Sequence, residues 1–251
     1  MSHREIDPRI IAPAHLQRYF GRDDIVPTAL AQLDWLIDHG SLAPDAQFLD
    51  VGCGIGRTAI ALTTYLNNEG SYTGFDSFPF GVEWCREHIT PIFPRFKFDW
   101  ADVKNDFYSK YGNIDPADFV FPYEDESFDF IMANSVFTHM FPHHMLNYLK
   151  QMARVLKAGG KMLVTFFLLN DYSQKAMAEG KDVSFTFPVQ VSEYCYSEHA
   201  VNIEGAMAYV EKYVQVMLDT CGLRLDKAIY GNWCGRKNTG TGQDIYIISR
   251  K

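Results

Sequence analysis

FLDVGCGIGRTAIALTTYL, residues 48–66, is the stretch of sequence that decides the fold. Its apolar start ends at Asp50, the glycines Gly52, Gly54 and Gly56 follow, and an apolar pattern with helical spacing comes next. The segment therefore predicts a strand, a glycine-rich turn and a helix. Such a turn brings backbone N–H groups and a helix N-terminus against a ligand, and glycine is needed where a Cβ would block that approach.

The spacing of the three glycines distinguishes between cofactors. A dinucleotide-binding turn has the pattern G-x-G-x-x-G, which would require glycine at position 57, where this chain has Arg57. The third glycine, Gly56, comes one residue too early, and the carboxylate of Asp50 stands two positions before the first glycine. This spacing argues against a nicotinamide or flavin dinucleotide.

Residues 50–56 resemble the first motif of the class I S-adenosylmethionine-dependent methyltransferases, (D/E)-x-G-x-G-x-G. Two later segments resemble the small-molecule branch of that family, the domain 11 or domain 25 type: residues 121–140 and ARVLKAGGKML at 153–163, which has Ala158 where the family has proline. The resemblance implies that S-adenosyl-L-methionine is the methyl donor and S-adenosyl-L-homocysteine the product. It also implies that Asp50 holds the ammonium group of the donor, directly or through water.

Strand-like and helix-like segments alternate along the chain and predict an α/β fold with a doubly wound, mainly parallel sheet. The resemblance implies a Rossmann-like methyltransferase fold of seven strands in the order 3-2-1-4-5-7-6, with the last strand antiparallel. We expect one domain over residues 1–251. Its expected parts are an N-terminal helical cap at 1–45, a cofactor-binding core at 46–169, an irregular segment at 170–203 that could act as a lid, and a C-terminal helix with the last two strands at 204–251.

Carboxylates at the ends of the next two predicted strands are candidates for binding adenosine. Asp76 ends the second strand, and its two oxygens match the two hydroxyls of a ribose, although a strand end can also carry an ordinary solvated aspartate. The resemblance implies that an aspartate at the end of the third strand binds the adenine amino group. Asp99 and Asp102 lie on opposite faces of that strand, and Asp102 is favoured because it lies nearer the carboxyl end. Further cofactor contacts are expected at Cys53, Ser77, Val103 and Asn134. For Asn134, a role in capping its own loop is the alternative.

His139 is the candidate catalytic residue. Methyl transfer from a sulfonium is a direct displacement that requires alignment of the nucleophile, and a hydroxyl acceptor also needs a general base. Histidine can be neutral at pH 7 and accept that proton; orienting a loop, or contacting the substrate without proton transfer, are the alternatives. His143 and His144 are expected to cap or flank the following helix. Because the sequence places no third ligand near them, we expect no metal site.

The loop YGNWCGRKNTGTGQD, residues 230–244, is the candidate substrate contact. Trp233 could stack on a sugar ring, and Arg236 could bind a carboxylate or phosphate with two hydrogen bonds. A structural hairpin packed on Trp233 is the alternative. GVEWC at 81–85 and TFFLLN at 165–170 also resemble a group of bacterial methyltransferases that accompany polysaccharide, glycolipid or natural-product pathways.

This second resemblance suggests O-methylation of a saccharide or glycoconjugate hydroxyl. Methylation of an amine, a phenol or a quinone precursor is an alternative, and so is a non-catalytic cofactor-binding subunit of a larger complex. The acceptor would be a small molecule, possibly sugar-containing. The sequence leaves open its identity, the position methylated, the oligomeric state and any dependence on a loosely held Mg²⁺.

Composition restricts the class of protein further. Hydrophobic residues make up 47% of the 251 residues and charged residues 22%, as in a globular protein. The formal net charge of -8, without a basic cluster, disfavours a nucleic-acid partner. No apolar stretch is long enough to cross a bilayer, and the N-terminus does not resemble a signal peptide. The five cysteines form no C-x-x-C pair, so we expect a reduced, cytoplasmic protein.

Overall fold

The computed structural model describes residues 4–20, 24–105, 109–110, 112–180, 182–237 and 239–251. Its strands, in chain order, are β1 (Gln47–Val51), β2 (Ser71–Asp76), β3 (Phe96–Trp100), β4 (Phe128–Ala133), β5 (Leu156–Phe166), β6 (Leu168–Leu169), β7 (Val189–Ser192), β8 (Cys195–Ser197), β9 (Met207–Val210), β10 (Leu223–Ile229) and β11 (Asp244–Arg250). Its α-helices are α1 (Ala14–Gln17), α2 (Ile25–Asp38), α3 (Arg57–Leu62), α4 (Pro79–His88), α5 (Pro142–Val155), α6 (Asp171–Glu179) and α7 (Glu211–Thr220). None of the described helices is long and apolar enough to cross a membrane.

The central sheet has seven strands in the order β3-β2-β1-β4-β5-β11-β10. Strand β1 pairs in parallel with both β2 and β4, and β11 runs antiparallel to both of its neighbours. The predicted doubly wound sheet and its strand order are thus confirmed. The order of the strands reverses between β1 and β4, and the carboxyl ends of parallel strands at such a point form a crevice in which ligands bind.

Alternating residues of β1 pack into two different hydrophobic cores. Phe48 faces a core covered by α2, α3 and α4, whereas Leu49 and Val51 face a core covered by α5 and α7. On the first face the ring of Phe48 stacks between those of Phe130 and Tyr72, with centroids 5.6 and 5.9 Å away. Since both faces are buried, apolar residues follow each other at Phe48 and Leu49 instead of alternating with polar ones.

Two segments differ from the sequence prediction. The region 170–203, expected to be irregular, contains α6, β7 and β8, and a second sheet forms in the order β6-β9-β8-β7. These strands are only two to four residues long, so their sequences carry no clear alternation. The glycine pair Gly159–Gly160 follows an amphipathic helical pattern and thus predicts a helix end there, but α5 already ends at Val155 and the pair lies within β5. A lid function for 170–203 stays a prediction.

Gly56 has a positive φ of 80° at the start of α3, and a Cβ there would lie 2.9 Å from Cys85 Sγ and from Ile89 Cδ1. Gly159 has a φ of 79°, with no atom within 4 Å of its Cβ position. We expect Gly159→Ala to cost about 1 kcal/mol of unfolding free energy, from backbone strain alone. Gly56→Ala should cost about 1 to 3 kcal/mol more because α4 must shift.

Urea unfolding of the two variants beside the unchanged protein measures both free energies. Equal losses for the two variants would contradict tight packing of α3 against α4.

Candidate active site

Two adjoining cavities open at the carboxyl edge of β1, β2 and β4. The Asp76 cavity has a volume of about 120 Å³, and its walls include Phe75, Asp76, Ser77, Ala101, Val103 and Tyr148. The Asp50 cavity has a volume of about 480 Å³, and its walls include Arg18, Gln32, Asp50, Cys53, Gly54, Arg57 and Thr58. Both cavities are also lined by Phe20, Gly52, Asn134, Ser135 and His139. Their common wall therefore contains the predicted base and the first glycine of the turn.

The glycine turn is held against the end of β2 by backbone hydrogen bonds. Gly52 and Cys53 both donate their N–H groups to the carbonyl oxygen of Phe75, at 2.9 and 3.0 Å. A Cβ on Gly52, which has a φ of 78°, would come within 2.5 Å of Val136 Cγ2 and narrow the junction of the cavities. The turn thus forms a cradle that a side chain would fill, as the sequence pattern predicts. Gly56 lines neither cavity and instead begins α3.

Asp76 connects the turn to the strand that follows it. Its carboxylate accepts hydrogen bonds from the N–H groups of Gly54, at 2.7 Å, and Phe78, at 2.8 Å. Burial raises the pKa of Asp76, while these N–H groups and that of Ser77 act in the opposite direction. Each carboxylate oxygen can accept more than one hydrogen bond. The group can therefore hold the turn and still accept hydroxyls from a ligand in the Asp76 cavity.

Asp50 is a buried carboxyl group on the floor of the second cavity. The hydroxyl of Tyr72 donates a hydrogen bond to it over 2.7 Å. Burial raises its pKa to about 7, against the smaller opposing effect of hydrogen bonds from Tyr72 and Thr58. A cation that entered the cavity would favour the ionised form. The site is thus suited to an ammonium group.

The N-terminal segment covers the glycine turn, which the sequence analysis missed. The ring of Phe20 lies 2.8 Å from where a Cβ on Gly54 would be, and Arg57 donates a hydrogen bond to the carbonyl oxygen of Phe20 at 2.5 Å. The adjacent ring of Tyr19 packs on Phe78, with centroids 5.1 Å apart. No periodic hydrophobic pattern precedes α2 in the sequence. The adjacent aromatic residues Tyr19 and Phe20 are therefore the sequence signal from which this contact could have been predicted.

His139 ends a short 3₁₀ turn, Phe137–His139, just after β4. Its Nδ1 lies 2.8 Å from the carbonyl oxygen of Glu204, and because a carbonyl only accepts, Nδ1 carries the proton. In the neutral ring Nε2 is then the atom with the lone pair. Burial lowers the pKa of His139, so the ring is neutral at pH 7. The arrangement suits proton acceptance at the junction of the two cavities.

Two residues that the sequence analysis did not single out position His139. Glu204 is 5% exposed and lies in the turn before β9. The side-chain amide of Asn105 donates hydrogen bonds to the carbonyl oxygen of His139, at 2.9 Å, and to Glu204 Oε1, at 3.1 Å. These contacts join segments far apart in the sequence, so no local motif could have revealed them.

Asp102 lies outside both cavities. Its carboxylate accepts hydrogen bonds from the backbone N–H and the side-chain amide of Asn113, at 3.1 and 2.7 Å. Its neighbours Ala101 and Val103 face the Asp76 cavity instead, since side chains alternate in an extended chain. Asp99 is also elsewhere and accepts a hydrogen bond from the Tyr123 hydroxyl. The expected contact between Asp102 and an adenine amino group is therefore not formed by this arrangement.

The two predicted substrate residues also lie away from the cavities. Trp233 is 2% exposed, packs on Phe167 and Phe187, and donates its indole N–H to Asp244 at 2.8 Å. Stacking of Trp233 on a sugar does not fit this position, which agrees with the alternative of a structural hairpin. The guanidinium of Arg236 lies between the rings of Tyr172 and Tyr230, 3.8 and 4.7 Å from their centroids, and donates a hydrogen bond to Asn170.

The sequence of the chain from β1 to β5 is similar to that of a known protein family. Residues 49–164 match a family model described as a methyltransferase domain. This match supports the predicted resemblance to the class I S-adenosylmethionine-dependent methyltransferases over that part of the chain.

Two curated relatives share about a third of their residues with this chain in the aligned region. It is 32% identical over 117 residues to phthiotriol/phenolphthiotriol dimycocerosates methyltransferase 1 of Mycobacterium ulcerans, covering 47% of this chain and 36% of that protein. It is 31% identical over 125 residues to 27-O-demethylrifamycin SV methyltransferase of Amycolatopsis mediterranei, covering 49% and 39%. The chain thus spans less than half the length of these relatives.

Solved structures share the fold over almost the whole chain. The PH0226 protein of Pyrococcus horikoshii superposes with a TM-score of 0.60 at 16% identity, covering 96% of this chain and 93% of that one. The TehB-like SAM-dependent methyltransferase of Corynebacterium glutamicum gives a TM-score of 0.56 at 18% identity, covering 96% and 100%. At these identities the likeness shows the Rossmann-like fold alone.

Replacing Asp50 should stabilise the protein without ligand at alkaline pH. Because the folded-state pKa is about 7 and the ordinary value 3.8, ionisation costs folding free energy. This free-energy cost is absent below pH 4, grows between pH 4 and pH 7, and is complete above pH 7. Asp50→Asn should therefore raise the melting temperature by several degrees at pH 8 and by much less at pH 5.

Thermal unfolding monitored by circular dichroism at the two pH values makes this comparison. Asp45→Asn, at an exposed position just before β1, is the matched control and should change neither melting temperature. An equal shift for Asp50→Asn at both pH values would contradict burial of a titrating carboxyl group.

Proposed function

We propose that this protein transfers a methyl group from S-adenosyl-L-methionine to a hydroxyl group of a small molecule. The proposal rests on the position and hydrogen bonding of His139. The ring lines both cavities at the place where they meet. Its Nδ1–H is bound to the Glu204 carbonyl, so Nε2 is the basic atom of the neutral ring. Methyl transfer to a hydroxyl is helped by a general base within hydrogen-bond reach of that hydroxyl.

The residues of the two cavities fit the parts of the proposed donor. Asp50 would hold its ammonium group, and the cations Arg18 and Arg57 line the same cavity, where its carboxylate would lie. Asp76 would accept the ribose hydroxyls. The apolar wall formed by Phe75, Ala101, Val103 and Tyr148 would enclose the adenine. These assignments include the predicted contacts at Cys53, Ser77 and Asn134, each of which lines at least one cavity.

The chemistry required of the chain is limited to orientation and one proton transfer. Bound S-adenosyl-L-methionine supplies a methyl group already activated by a sulfonium. His139 accepts the proton of the acceptor hydroxyl at Nε2 as the displacement proceeds, while its Nδ1–H stays on the Glu204 carbonyl. The hydrogen bonds of Asn105 fix the backbone of His139 and the side chain of Glu204. The lowered pKa of His139 means that little protonated, inactive ring is present at pH 7.

For the acceptor, we propose a saccharide or glycoconjugate hydroxyl, supported by the resemblance of segments 81–85 and 165–170 to methyltransferases of such pathways. Because Trp233 is buried away from the cavities, it is not available to stack on a sugar ring. We therefore propose that the saccharide binds to groups at the junction of the two cavities. There, Asn134 and Ser135 offer polar atoms beside the apolar Val136 and Met140. An amine is the second candidate, because the chain is 24% identical over 191 residues to phosphoethanolamine N-methyltransferase 3 of Arabidopsis thaliana, covering 76% of this chain and 33% of that one.

Product binding should depend on the ionisation of Asp50. Since the ionised form pairs with the ammonium of S-adenosyl-L-homocysteine and the pKa is about 7 in the ligand-free protein, affinity should rise about tenfold from pH 6 to pH 8. Asp50→Asn should bind more weakly and show little of this dependence. Isothermal titration calorimetry with S-adenosyl-L-homocysteine measures both quantities.

Asp45→Asn should follow the unchanged protein at every pH. A pH dependence that persists in Asp50→Asn would assign it to another group, and failure of the unchanged protein to bind S-adenosyl-L-homocysteine would refute the proposed function.

His139→Asn should separate catalysis from cofactor binding. The asparagine amide can still donate to the Glu204 carbonyl, but it cannot accept the proton, so we expect kcat to fall about 100-fold or more. The affinity for S-adenosyl-L-homocysteine should change by less than about threefold, since the ring is proposed to act on the acceptor hydroxyl. In the unchanged protein, kcat should fall only below a pKa that lies under 6.5.

The measurement is methyl transfer to a panel of saccharides, phenols and amines, with product detected by mass spectrometry. Transfer to a hydroxyl that survives His139→Asn would contradict the base role. Preferred transfer to amines would favour the second candidate. Absence of turnover with every acceptor class, despite product binding, would favour a non-catalytic subunit.

A further inference from the structure

We propose that Asp115, His143 and His144 form a binding site for one divalent transition-metal ion of the Zn²⁺ type. One nitrogen of each imidazole and one carboxylate oxygen all lie within 4.8 Å of one another. The histidines come from the first turn of α5, and Asp115 comes from the connection between β3 and β4. The site lies outside the proposed methyl-transfer machinery and goes beyond the proposed function.

The set of donors identifies the class of ion. Two imidazoles and one carboxylate suit Zn²⁺ and related ions, whereas Mg²⁺ and Ca²⁺ prefer oxygen ligands alone. Zn²⁺ binds such ligands at about 2.0–2.2 Å, so the three atoms must move closer together around an ion. Asp115 and His143 are exposed and can rotate to do so, whereas His144 is buried and supplies the fixed position.

His144 provides the second, independent observation. The residue is only 8% exposed. Its Nδ1 makes no hydrogen bond with any residue in the ranges described above. Its Nε2 lies 3.3 Å from Asp115 Oδ1. A neutral imidazole nitrogen has a lone pair that can bind a metal. A buried imidazole with such a nitrogen is suited to act as a ligand.

A cavity of about 290 Å³ gives the ion room. Asp115, His143 and His144 all line it, together with Phe141 and Glu204. The backbone of Glu204 accepts the hydrogen bond of His139, so the metal site and the proposed base lie on two sides of the same residue. Three protein ligands leave at least one coordination position for water or another ligand.

Spacing along the chain predicts no metal site at these histidines, for a definite reason. His143 and His144 are adjacent, and no third ligand stands near them along the chain, which led to the prediction of no metal. The fold brings Asp115 to them because the connection after β3 passes over the N-terminus of α5. A local spacing rule cannot detect a ligand set assembled in this way.

Zn²⁺ binding by the full chain, after treatment with a chelator and dialysis, tests the proposal by calorimetry. We expect one high-affinity Zn²⁺ per chain. Asp115→Asn and His143→Ala should each weaken binding at least about tenfold. Asp115→Asn keeps an oxygen for the hydrogen bond that Ala117 N–H donates to Asp115 Oδ1, and both positions are exposed, so these variants should fold.

Matched controls are Asp118→Asn, in the same connection, and His15→Ala, at another exposed histidine; neither should change the affinity. Zn²⁺ should also raise the melting temperature of the unchanged protein but not that of Asp115→Asn. Equal affinity in the unchanged protein, Asp115→Asn and His143→Ala would overturn the proposal, and so would the lack of any tight Zn²⁺ binding. Since no readout uses methyl transfer, the result is independent of the proposed function.

Discussion

The hydrogen bond from Gly54 N–H to the carboxylate of Asp76 is the constraint on which the site depends. It joins the turn after β1 to the end of β2, while the N–H groups of Gly52 and Cys53 bind the carbonyl of Phe75 at the same edge. Parallel, in-register pairing of the two strands is what brings these groups together. The glycine turn that would contact a ligand is therefore held in place by hydrogen bonds to the sheet itself.

The core and the electrostatics of the site are coupled through aromatic packing. Phe48, Phe130 and Tyr72 form a row across the central strands, and Tyr72 ends in a hydroxyl that donates to Asp50. The same burial that excludes water from this row raises the pKa of Asp50 to about 7. A carboxyl group at this position lowers stability increasingly between about pH 4 and pH 7 and by its full amount above pH 7, and a ligand carrying an ammonium group would compensate for the loss. Sites for charged ligands commonly reduce stability in this way.

The second sheet gives the segment after β5 a defined role in the site. It places Glu204, whose carbonyl fixes the tautomer of His139 and whose carboxylate accepts a hydrogen bond from Asn105. The proposed base is thus set by an insertion into the fold rather than by the strand that precedes it. The cavity of the proposed metal site is also lined by Glu204.

The sequence by itself determined the doubly wound sheet and its ligand-binding edge, because strand alternation, glycine spacing and Asp50 are local signals, and the family resemblance supplied the strand order. It also pointed to His139 and Asp76, which line the cavities at that edge. Only the tertiary structure decided that Asp102 turns away and that Trp233 is buried, since these depend on partners such as Asn113 and Asp244, which no local pattern identifies. It likewise decided the tautomer of His139 and the meeting of Asp115 with two histidines. Contacts between distant segments arise from packing, and packing is a property of the whole chain.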